Sequence, residues 1–324
     1  MARKNSHIIY YIKAFSMLLT PKWLLRRRER KLLSAYINRA DKDVIDNRVN
    51  YYNQLDRVLE IPSKSCRLQQ HTFLQRKGGS VYFFDTFEFT RYFSKEFLWN
   101  HQPGDITILF NLPTIVKTRP LTETEPNFSN SILLNLDKVR HFLFVKDPIP
   151  FMQKKAIVLF RGDAHGKPAR LKFLQMFKGK PGFDVGDTSH KLDASLQVGK
   201  LSINEHFKYR YIMALEGNDV ASNLKWVMSS NCIAVMPRPT CESWFMEGTL
   251  IPNYHYIEIK PDFSDLEERI RYYNEHTDEA LAIIQHAHEY VSQFLDPKRE
   301  KIISYLVMRK YFQKTSVNGK IQLS

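Results

Sequence analysis

The sequence contains few cysteines, and their spacing excludes two common kinds of stabilised site. The three cysteines, Cys66, Cys232 and Cys241, form no Cys-x-x-Cys pair. Such a set supports neither a disulfide framework nor a zinc site, and it fits a reducing compartment. Internal repeats and low-complexity tracts are also absent, which excludes repeat architectures and a largely disordered chain.

Long apolar runs are absent as well. The stretch "HIIYYIKAFSMLL", residues 7–19, is interrupted by Lys13. It is too short to cross a bilayer, which needs about 20 apolar residues. No small-residue cleavage site follows it, so the sequence does not predict a secretory signal.

Acidic residues are scarce at the N-terminus. Residues 1–33 carry nine lysines and arginines against the single acid Glu29, in a chain whose net charge is +14. A charge of this sign indicates an anionic partner. We predict that residues 1–33 form a basic amphipathic segment on an anionic membrane surface, with Trp23 near the headgroups. The alternative is a first helix that packs on the core and has a solvated basic end.

The length of 324 residues favours two domains. The stretch "KDPIPFMQKK" marks a linker near residue 150, between predicted domains at 34–150 and 151–295, with a C-terminal helix and tail at 296–324. Strand-like runs precede the linker in "SVYFFDTFEF", "ITILFNLP" and "VRHFLFV". Beyond it strands and helices alternate, which predicts an α/β fold with a parallel sheet. We expect the active site in the cleft between the two domains.

Two strand-to-helix turns predict a diphosphate site. In "AIVLFRGDAHGKPAR", Arg161 and Gly162 lie where a strand ends. Arginine binds phosphate oxygens through two N–H groups, and glycine lets the backbone approach closely. In "MALEGNDVASNLKWVMSS", Asn218 or Asp219 is predicted to cap a helix whose first N–H groups and Lys225 favour an anion. The alternatives are an ordinary capped helix and a turn glycine beside a surface arginine.

Further side chains near these turns are candidates for the same ligand. Ser222 and Asn223 lie in the predicted first helical turn and can donate hydrogen bonds. Glu242 and Glu247, in "CESWFMEG", can accept from neighbouring hydroxyls of a ribose or a sugar. We favour Glu242 for this role.

The chain resembles the CAP10-like glycosyltransferases (glycosyltransferase family 90), and within them the bacterial lipopolysaccharide core branch. The segments that carry the resemblance are "AIVLFRGDAHGKPAR", "NSILLNLDKVRHF" and residues 206–276. The similarity runs from about Pro103 to Phe294. The family pattern matches Phe160–Gly162 and Lys225, whereas Asn223 stands where eukaryotic relatives carry an arginine.

The resemblance implies a GT-B fold, that is, two Rossmann-like domains with the active site in the cleft between them. It implies a UDP-sugar donor in the C-terminal domain, an acceptor in the N-terminal domain, and inversion without a metal or other cofactor. The expected function is hexose transfer to a lipopolysaccharide or lipooligosaccharide core acceptor. The expected location is cytoplasmic, on the inner face of the bacterial inner membrane. Alternatives are a capsule or protein acceptor, or a basic nucleic-acid-binding protein, although no nucleic-acid-binding motif is found.

The residues themselves also argue against a metal. Metal-dependent transferases usually present an Asp-x-Asp at a strand end, but the one such triplet, Asp41-Lys42-Asp43, lies in a polar helical stretch. Without a metal, helix N–H groups, Arg161 and Lys225 would stabilise the leaving UDP. Because Asn223 replaces an arginine, Arg161 is expected to carry more of the charge, with help from Arg238.

The catalytic base is expected in the acceptor domain. Asn111 matches the position of a catalytic aspartate in eukaryotic relatives, and an amide cannot accept the proton. We therefore favour Asp137, with His141 as second base or orienting partner and Asp105 as a third candidate. For the acceptor, "IVKTRP" places Lys117 and Arg119 in a predicted flexible loop, and Arg140 lies near the predicted base. These three cations suit a phosphorylated or carboxylated sugar; the alternative is ordinary surface charge.

Overall fold

The computed structural model describes residues 7–122 and 128–316. Residues 1–6 of the predicted basic segment and residues 317–324 of the predicted tail lie outside the described residues. The chain divides into two compact units. The sheet unit contains Arg140–Thr240 and Phe245–Leu295. The helix-rich unit contains the described residues between 7 and 139, Cys241–Trp244 and residues 296–316.

The described elements are named here in chain order. The helices are α1 (His7–Leu18), α2 (Lys22–Ile37), α3 (Lys42–Tyr52), α4 (Ser80–Thr90), α5 (Lys138–His141), α6 (Pro168–Phe177), α7 (Ile203–His206), α8 (Leu224–Met228), α9 (Leu266–Glu275), α10 (Thr277–Ser292) and α11 (Pro297–Thr315). The strands are β1 (Cys66–Arg67), β2 (Leu98–Trp99), β3 (Thr114–Val116), β4 (Thr118–Pro120), β5 (Ser131–Leu133), β6 (Lys155–Gly162), β7 (Phe183–Asp187), β8 (Tyr209–Met213), β9 (Ile233–Met236), β10 (Cys241–Ser243) and β11 (Ile257–Glu258).

The sheet unit is built on five parallel strands in the order β11-β9-β8-β6-β7. Its central strands are continuous apolar runs because helices cover both faces of such a sheet. Val158, Phe160, Tyr211 and Val235 belong to one buried cluster with the apolar side chains of α6 and α9. The prediction of an α/β fold with a parallel sheet is confirmed. β7 was not predicted, because "FDVGD" is short and contains two aspartates and a glycine.

Helix α8 is shorter than predicted. It begins at Leu224, and no side chain caps it. The residues before it form a tight turn in which Gly217 N donates to the carbonyl oxygen of Asp219 at 3.0 Å. The prediction that Asn218 or Asp219 caps this helix is therefore wrong.

Three strand predictions for the chain before the predicted linker are wrong. "SVYFFDTFEF" is the helix α4, whose Phe83 and Phe84 pack against Ala14 of α1. Aromatic residues favour strands only weakly, and burial against another helix outweighs that preference. "ITILFNLP" forms no strand, and "VRHFLFV" begins in the short helix α5.

The strands of the helix-rich unit occur as pairs: β1 with β2, β3 with β5, and β4 with β10. Within the described residues, only one of the two expected Rossmann-like sheets is therefore present. β10 joins this unit because its three residues pair antiparallel with β4. α11 joins it as well: Asn53 donates to the carbonyl oxygen of Val307 at 3.1 Å. The units thus separate at Arg140 rather than at residue 151, and residues 296–316 are not a separate segment.

Helix α1 is buried on one side only. Ala14 is 1% exposed, whereas Ile8 is 75%, Ile12 65% and Phe15 46% exposed. Ile8 and Ile12 lie one helical turn apart and form a stripe on the outer face. The Phe15 ring, at the edge of this stripe, packs on Phe84 with 5.0 Å between ring centres. In residues 7–122 and 128–316, none of the helices is both long and apolar enough to cross a bilayer.

Candidate functional site

A cavity of about 180 Å³ lies in the sheet unit, where β8 and β9 end. Ligands of open parallel sheets bind beyond the carboxyl ends of the strands. Its wall is formed by residues that follow these two strands and by residues that lead into α8. A side chain of α6, Glu247 and the segment after β11 complete the wall. These residues are Ala169, Ala214, Leu215, Glu216, Val220, Ala221, Leu224, Met236, Pro237, Arg238, Pro239, Thr240, Glu247, Pro261 and Phe263. We call this opening the sheet-unit cavity.

Glu216 joins the two loops that form the cavity. One carboxylate oxygen accepts from the backbone N–H of Thr240 at 2.9 Å, and the other accepts from the Thr240 hydroxyl at 2.5 Å. The loop after β8 is thereby bonded to the loop after β9. A negative group at this position is suited to accept from the hydroxyls of a ribose or a sugar.

Arg170, in the first turn of α6, holds the same region from the other side. Its Nη2 donates to the carbonyl oxygen of Leu215 at 2.6 Å, Nε to that of Glu216 at 2.9 Å, and Nη1 to that of Asp163 at 2.9 Å. A Cβ on Gly217 would lie 3.1 Å from Nη2, so glycine allows this close approach. Burial lowers the pKa of Arg170, but arginine stays charged in proteins.

Arg170 was missed at the level of sequence, although it ends the segment "AIVLFRGDAHGKPAR". The available signal was a cation in the first turn of a helix that follows a glycine-containing turn at a strand end. The sequence favoured Arg161 for the diphosphate instead, because Arg161 lies at the end of the predicted strand.

Glu247 contributes a carboxylate to the wall and is bonded to Lys225. The Lys225 ammonium lies 2.5 Å from a carboxylate oxygen of Glu247, and the two side chains are 0% and 2% exposed. The ammonium also lies 5.3 Å from the centre of the Phe245 ring. Lys225 was predicted to bind diphosphate; here its charge is paired inside the protein, where it positions Glu247.

Arg161 is not brought to the sheet-unit cavity. Its guanidinium forms an ion pair of 2.5 Å with Asp184 of β7 and also donates to the Asp184 carbonyl oxygen at 2.7 Å. Tyr209 donates to the same carboxylate at 2.7 Å. Burial pushes the pKa of Asp184 up, but these hydrogen bonds outweigh it and the pKa lies below its usual value. Gly162 ends β6 beside Arg161.

The remaining predicted donor residues are distributed around the turn before α8. Ser222 and Asn218 are exposed, and Asp219 is buried. Asn223 donates from Nδ2 to the carbonyl oxygen of Met213 at 3.0 Å, so it fixes the end of β8. Arg238 lines the cavity and forms an ion pair of 3.0 Å with Glu258. Of the residues predicted for the donor, Arg238 and Glu247 line the cavity directly.

Comparison with known proteins identifies the kind of molecule. The family model described as Glycosyl transferase family 90 matches residues 136–321. The chain belongs to glycosyl transferase family 90. It is 40% identical over 316 residues to the O-glucosyltransferase LpsA of Dichelobacter nodosus, which covers 96% of each chain. This protein is therefore a glycosyltransferase.

Two more distant similarities are found. Protein O-glucosyltransferase 3 of Homo sapiens is 26% identical over 179 residues, which is 53% of this chain and 35% of that protein. The crystallised C-terminal domain of a group 1 family glycosyl transferase (LpcC) from Francisella tularensis aligns with a TM-score of 0.29 and 12% identity. That alignment covers 42% of this chain and 84% of that domain. A likeness this weak does not define the fold of the transferase.

Glu242 of the transferase lies in the helix-rich unit, bonded to Arg119. The β4–β10 register sets the two residues opposite each other, and Arg119 Nε donates to Glu242 at 2.7 Å. Tyr51 donates to the other carboxylate oxygen. Both charged side chains are almost fully buried, at 0% and 1% exposure. A sugar hydroxyl would have to displace Arg119 to reach Glu242.

The predicted acceptor loop is not a loop. Lys117 lies between β3 and β4, and Arg119 lies within β4. Lys117 is 2% exposed and forms an ion pair of 2.5 Å with Asp105, which was the third candidate for the base. The expectation of flexible, exposed cations here is wrong, because both side chains are paired within the protein.

The other predicted catalytic residues surround α5. Asp137 comes directly before this helix with a φ of 56° and is buried, as is His141. Arg140 is exposed. The assignment of Asp137 or His141 as the base stays a prediction. The Asp-x-Asp triplet also lies in the helix-rich unit, where Asp41 forms ion pairs with Arg39 at 2.5 Å and Arg299 at 3.1 Å.

Proposed function

We propose that this transferase moves a hexose, glucose in the first instance, from a UDP-sugar to the core oligosaccharide of a lipopolysaccharide or lipooligosaccharide. The observation that carries the proposal is the 40% identity to an O-glucosyltransferase, LpsA, over 96% of both chains. A match across almost the whole length supports the same donor sugar and a similar acceptor.

The sheet-unit cavity supports a nucleotide-sugar donor. Glu216 and Glu247 offer carboxylates to vicinal hydroxyls, and the charge of Arg170 stands where β6 and β8 end. Nη1 and Nη2 of Arg170 each give one N–H to a carbonyl oxygen, and the second N–H of each is suited to a phosphate oxygen. The proposal therefore assigns the hydroxyls of the donor to the two glutamates and the diphosphate to Arg170. Arg238 at the edge of the cavity adds further positive charge.

The proposed reaction is an inverting displacement. The acceptor oxygen forms a bond to the anomeric carbon of the hexose, while the bond from that carbon to the β-phosphate oxygen of UDP breaks. The acceptor hydroxyl proton passes to a base, for which Asp137 remains our assignment. UDP leaves with an additional negative charge, which fixed donors such as the Arg170 guanidinium stabilise without rearrangement.

Metal independence is part of the proposal. In the helix-rich unit, hydrogen bonds from Arg39 and Arg299 occupy Asp41 of the one Asp-x-Asp triplet. The Arg39 hydrogen bond is the largest cause that lowers the pKa of Asp41. A cation would have to replace two arginines there. This arrangement supports charge stabilisation by arginine instead of a metal.

The proposed location is the inner face of the bacterial inner membrane, where core acceptors carry a lipid. Support comes from the outer stripe of α1, with Ile8 75% and Ile12 65% exposed, and from Trp23, which is 66% exposed. The basic residues of α2 follow directly. An apolar stripe with neighbouring cations is the pattern of a helix that lies on an anionic surface. The proposal keeps the division of roles implied by the resemblance, with the donor on the sheet unit and the acceptor on the helix-rich unit.

The proposed function is tested by UDP release. Purified protein is incubated with UDP-glucose, UDP-galactose and other UDP-hexoses, each with and without purified core oligosaccharide, and with and without EDTA. We expect acceptor-dependent release of UDP from UDP-glucose that EDTA leaves unchanged. Release from none of these donors would contradict the assignment, and loss of activity in EDTA would contradict metal independence.

A further inference from the structure

A second cavity lies in the helix-rich unit, where β1 pairs with β2 and the following chain runs beside β3. Its volume is about 560 Å³, within the usual range of small-molecule sites. The backbone of Asn100 and Gln102 is bonded to Ile115 of β3, which fixes the floor of the cavity. A neighbouring opening of about 640 Å³ is also lined by Lys64 and Lys77. We call the two openings together the helix-unit cavity.

The charged side chains that line this cavity, within residues 7–122 and 128–316, are all basic. Lys64 and Lys77 line both openings, Arg67 lines the second, and no aspartate or glutamate of these residues lines either of them. Lys64 and Lys77 are exposed, while Arg67 is paired with Glu96 at 3.1 Å. A concave surface whose charged side chains are all cations raises the local concentration of anions.

Packed, neutral histidine rings form the floor of the cavity. His101 is stacked on Trp99 with 5.2 Å between ring centres, and the His71 ring contacts the same indole at 4.7 Å. His71 Nε2 lies 2.9 Å from the Thr86 hydroxyl, which itself donates to a backbone carbonyl, so His71 is the donor. Burial lowers the pKa of His71 to about 4 and that of His101 to about 3. At neutral pH both rings therefore provide polar, uncharged walls.

The Lys77 loop is held against this floor. Gly78 has a φ of +71°, and a Cβ there would lie 2.9 Å from the ring of Pro103. Glycine thus permits the loop to pack directly on the segment that follows His101. The charge on Lys77 contributes to the lowered pKa of His101, after the larger effect of burial. Lys77 therefore lies at the mouth of the cavity on a loop whose backbone packs on the segment that follows His101.

We propose that the helix-unit cavity binds an anionic sugar of the acceptor, with Lys64 and Lys77 holding its phosphate or carboxylate group. The inference rests on the proposed function and supplies an acceptor site, because Lys117 and Arg119 are paired inside the protein. Neutral groups such as Gln70 and Asn111 line the same cavity and suit sugar hydroxyls, and Leu112 offers apolar contact. Cations at the mouth with polar, uncharged walls are the pattern expected for a sugar that carries one anionic group.

The test compares two forms of one purified core oligosaccharide, phosphorylated and enzymatically dephosphorylated. Binding is measured by calorimetry without any donor, with wild-type protein, Lys64→Gln, Lys77→Gln and the double variant. We expect each substitution to weaken binding roughly tenfold, the effect of one charge-assisted hydrogen bond. The matched control is Lys200→Gln, an exposed lysine of the sheet unit, and it should bind like wild type.

Kinetics supply an independent readout. The double variant should raise the KM for the acceptor while leaving the KM for UDP-glucose and the slow hydrolysis of UDP-glucose by water unchanged. If only the phosphorylated form depends on the lysines, phosphate is the bound group. If both forms depend on them equally, it is a carboxylate. Wild-type affinity of the double variant for both forms would overturn the proposal.

The experiments distinguish failure of the acceptor site from failure of the proposed function. Lysine-dependent oligosaccharide binding without transfer from any UDP-sugar would uphold the acceptor site and contradict the proposed function. Transfer that is indifferent to both lysines would uphold the function and overturn the site.

Discussion

Arg170 Nη2 donates a hydrogen bond of 2.6 Å to the carbonyl oxygen of Leu215, the second residue after β8. The same guanidinium reaches the carbonyl oxygens of Glu216 and Asp163, so one side chain connects the loops after β6 and β8. This side chain fixes the loops around the sheet-unit cavity and carries its positive charge at the ends of β6 and β8.

Arg170→Ala should weaken UDP binding by roughly 1.5–3 kcal/mol, the contribution of a hydrogen bond to a charged group. Arg170→Lys should recover only part of this loss. A lysine ammonium cannot reach the carbonyl oxygens of Asp163, Leu215 and Glu216 and also bind a phosphate oxygen. Calorimetric titration of UDP measures both variants. The comparison variant is Arg161→Ala, since Arg161 is paired with Asp184. If Arg161→Ala abolishes UDP binding and Arg170→Ala does not, the diphosphate belongs to Arg161, as the sequence alone predicts.

Glu247→Gln should destabilise the protein and weaken donor binding together. The Lys225 ammonium is 0% exposed and would lose its countercharge, which costs about 3–5 kcal/mol for a buried pair. Replacing both residues, as Lys225→Met with Glu247→Leu, should restore much of the stability but not the donor affinity. Urea unfolding and UDP-glucose titration separate the two effects. Full donor affinity in the double variant would exclude Glu247 from the donor site.

Membrane binding should depend on the outer stripe of α1. Changing Ile8 and Ile12 to serine should reduce sedimentation with anionic liposomes more than tenfold, because apolar area can no longer enter the interface. Neutral liposomes should bind the wild type weakly, and added salt should weaken the anionic binding. Leu281→Ser, at an exposed residue of α10, is the control.

These substitutions test the surface more cleanly than deletion of residues 1–33. The deletion would also uncover Phe83 and Phe84, which pack against α1, and would remove Glu29, which accepts from Tyr305. Undiminished binding of the Ile8→Ser, Ile12→Ser variant to anionic liposomes would show that α1 is not the membrane surface.

Stability should fall as the pH falls below about 6.5. The folded protein keeps His71 and His101 neutral, with pKa values of about 4 and about 3. The unfolded chain takes up protons at the ordinary histidine value of about 6.5, so acid favours unfolding. Between pH 7.5 and 5.0 each histidine should remove about 1–2 kcal/mol from the free energy of unfolding.

Denaturant unfolding at the two pH values measures this effect. His101→Gln should reduce the pH dependence of the free energy of unfolding, whereas the same change at the exposed His165 should not. A free energy of unfolding that is equal at both pH values would contradict the account of the cavity floor.

The parallel sheet could be predicted from sequence because its strands are continuous apolar runs that alternate with helical segments. The same reasoning failed for α4, since an aromatic-rich stretch such as "SVYFFDTFEF" suits a strand or a buried helix equally well. Only the contact of Phe83 and Phe84 with α1 decides between them.

The sequence singled out the turn after β8, which borders the sheet-unit cavity, but few of the predicted residues line that cavity. The turn after β8 does form the cavity, and both Arg238 and Glu247 line it. The sequence could not show which of Glu242 and Glu247 lines the cavity. Glu242 is paired with Arg119 through the β4–β10 register, which joins residues far apart in the chain. Lys225 was misjudged for a similar reason: its partner Glu247 lies beyond β9 and β10.

The central claim is that this chain transfers a hexose from a UDP-sugar bound in the sheet-unit cavity to a core oligosaccharide. Mass spectrometry of purified core oligosaccharide after incubation with UDP-glucose tests it most directly, with wild-type protein and Arg170→Ala side by side. The account predicts that the oligosaccharide gains one hexose with wild type and that the rate drops strongly with Arg170→Ala. An oligosaccharide left unmodified with every UDP-hexose, or modified at the wild-type rate by Arg170→Ala, would contradict it.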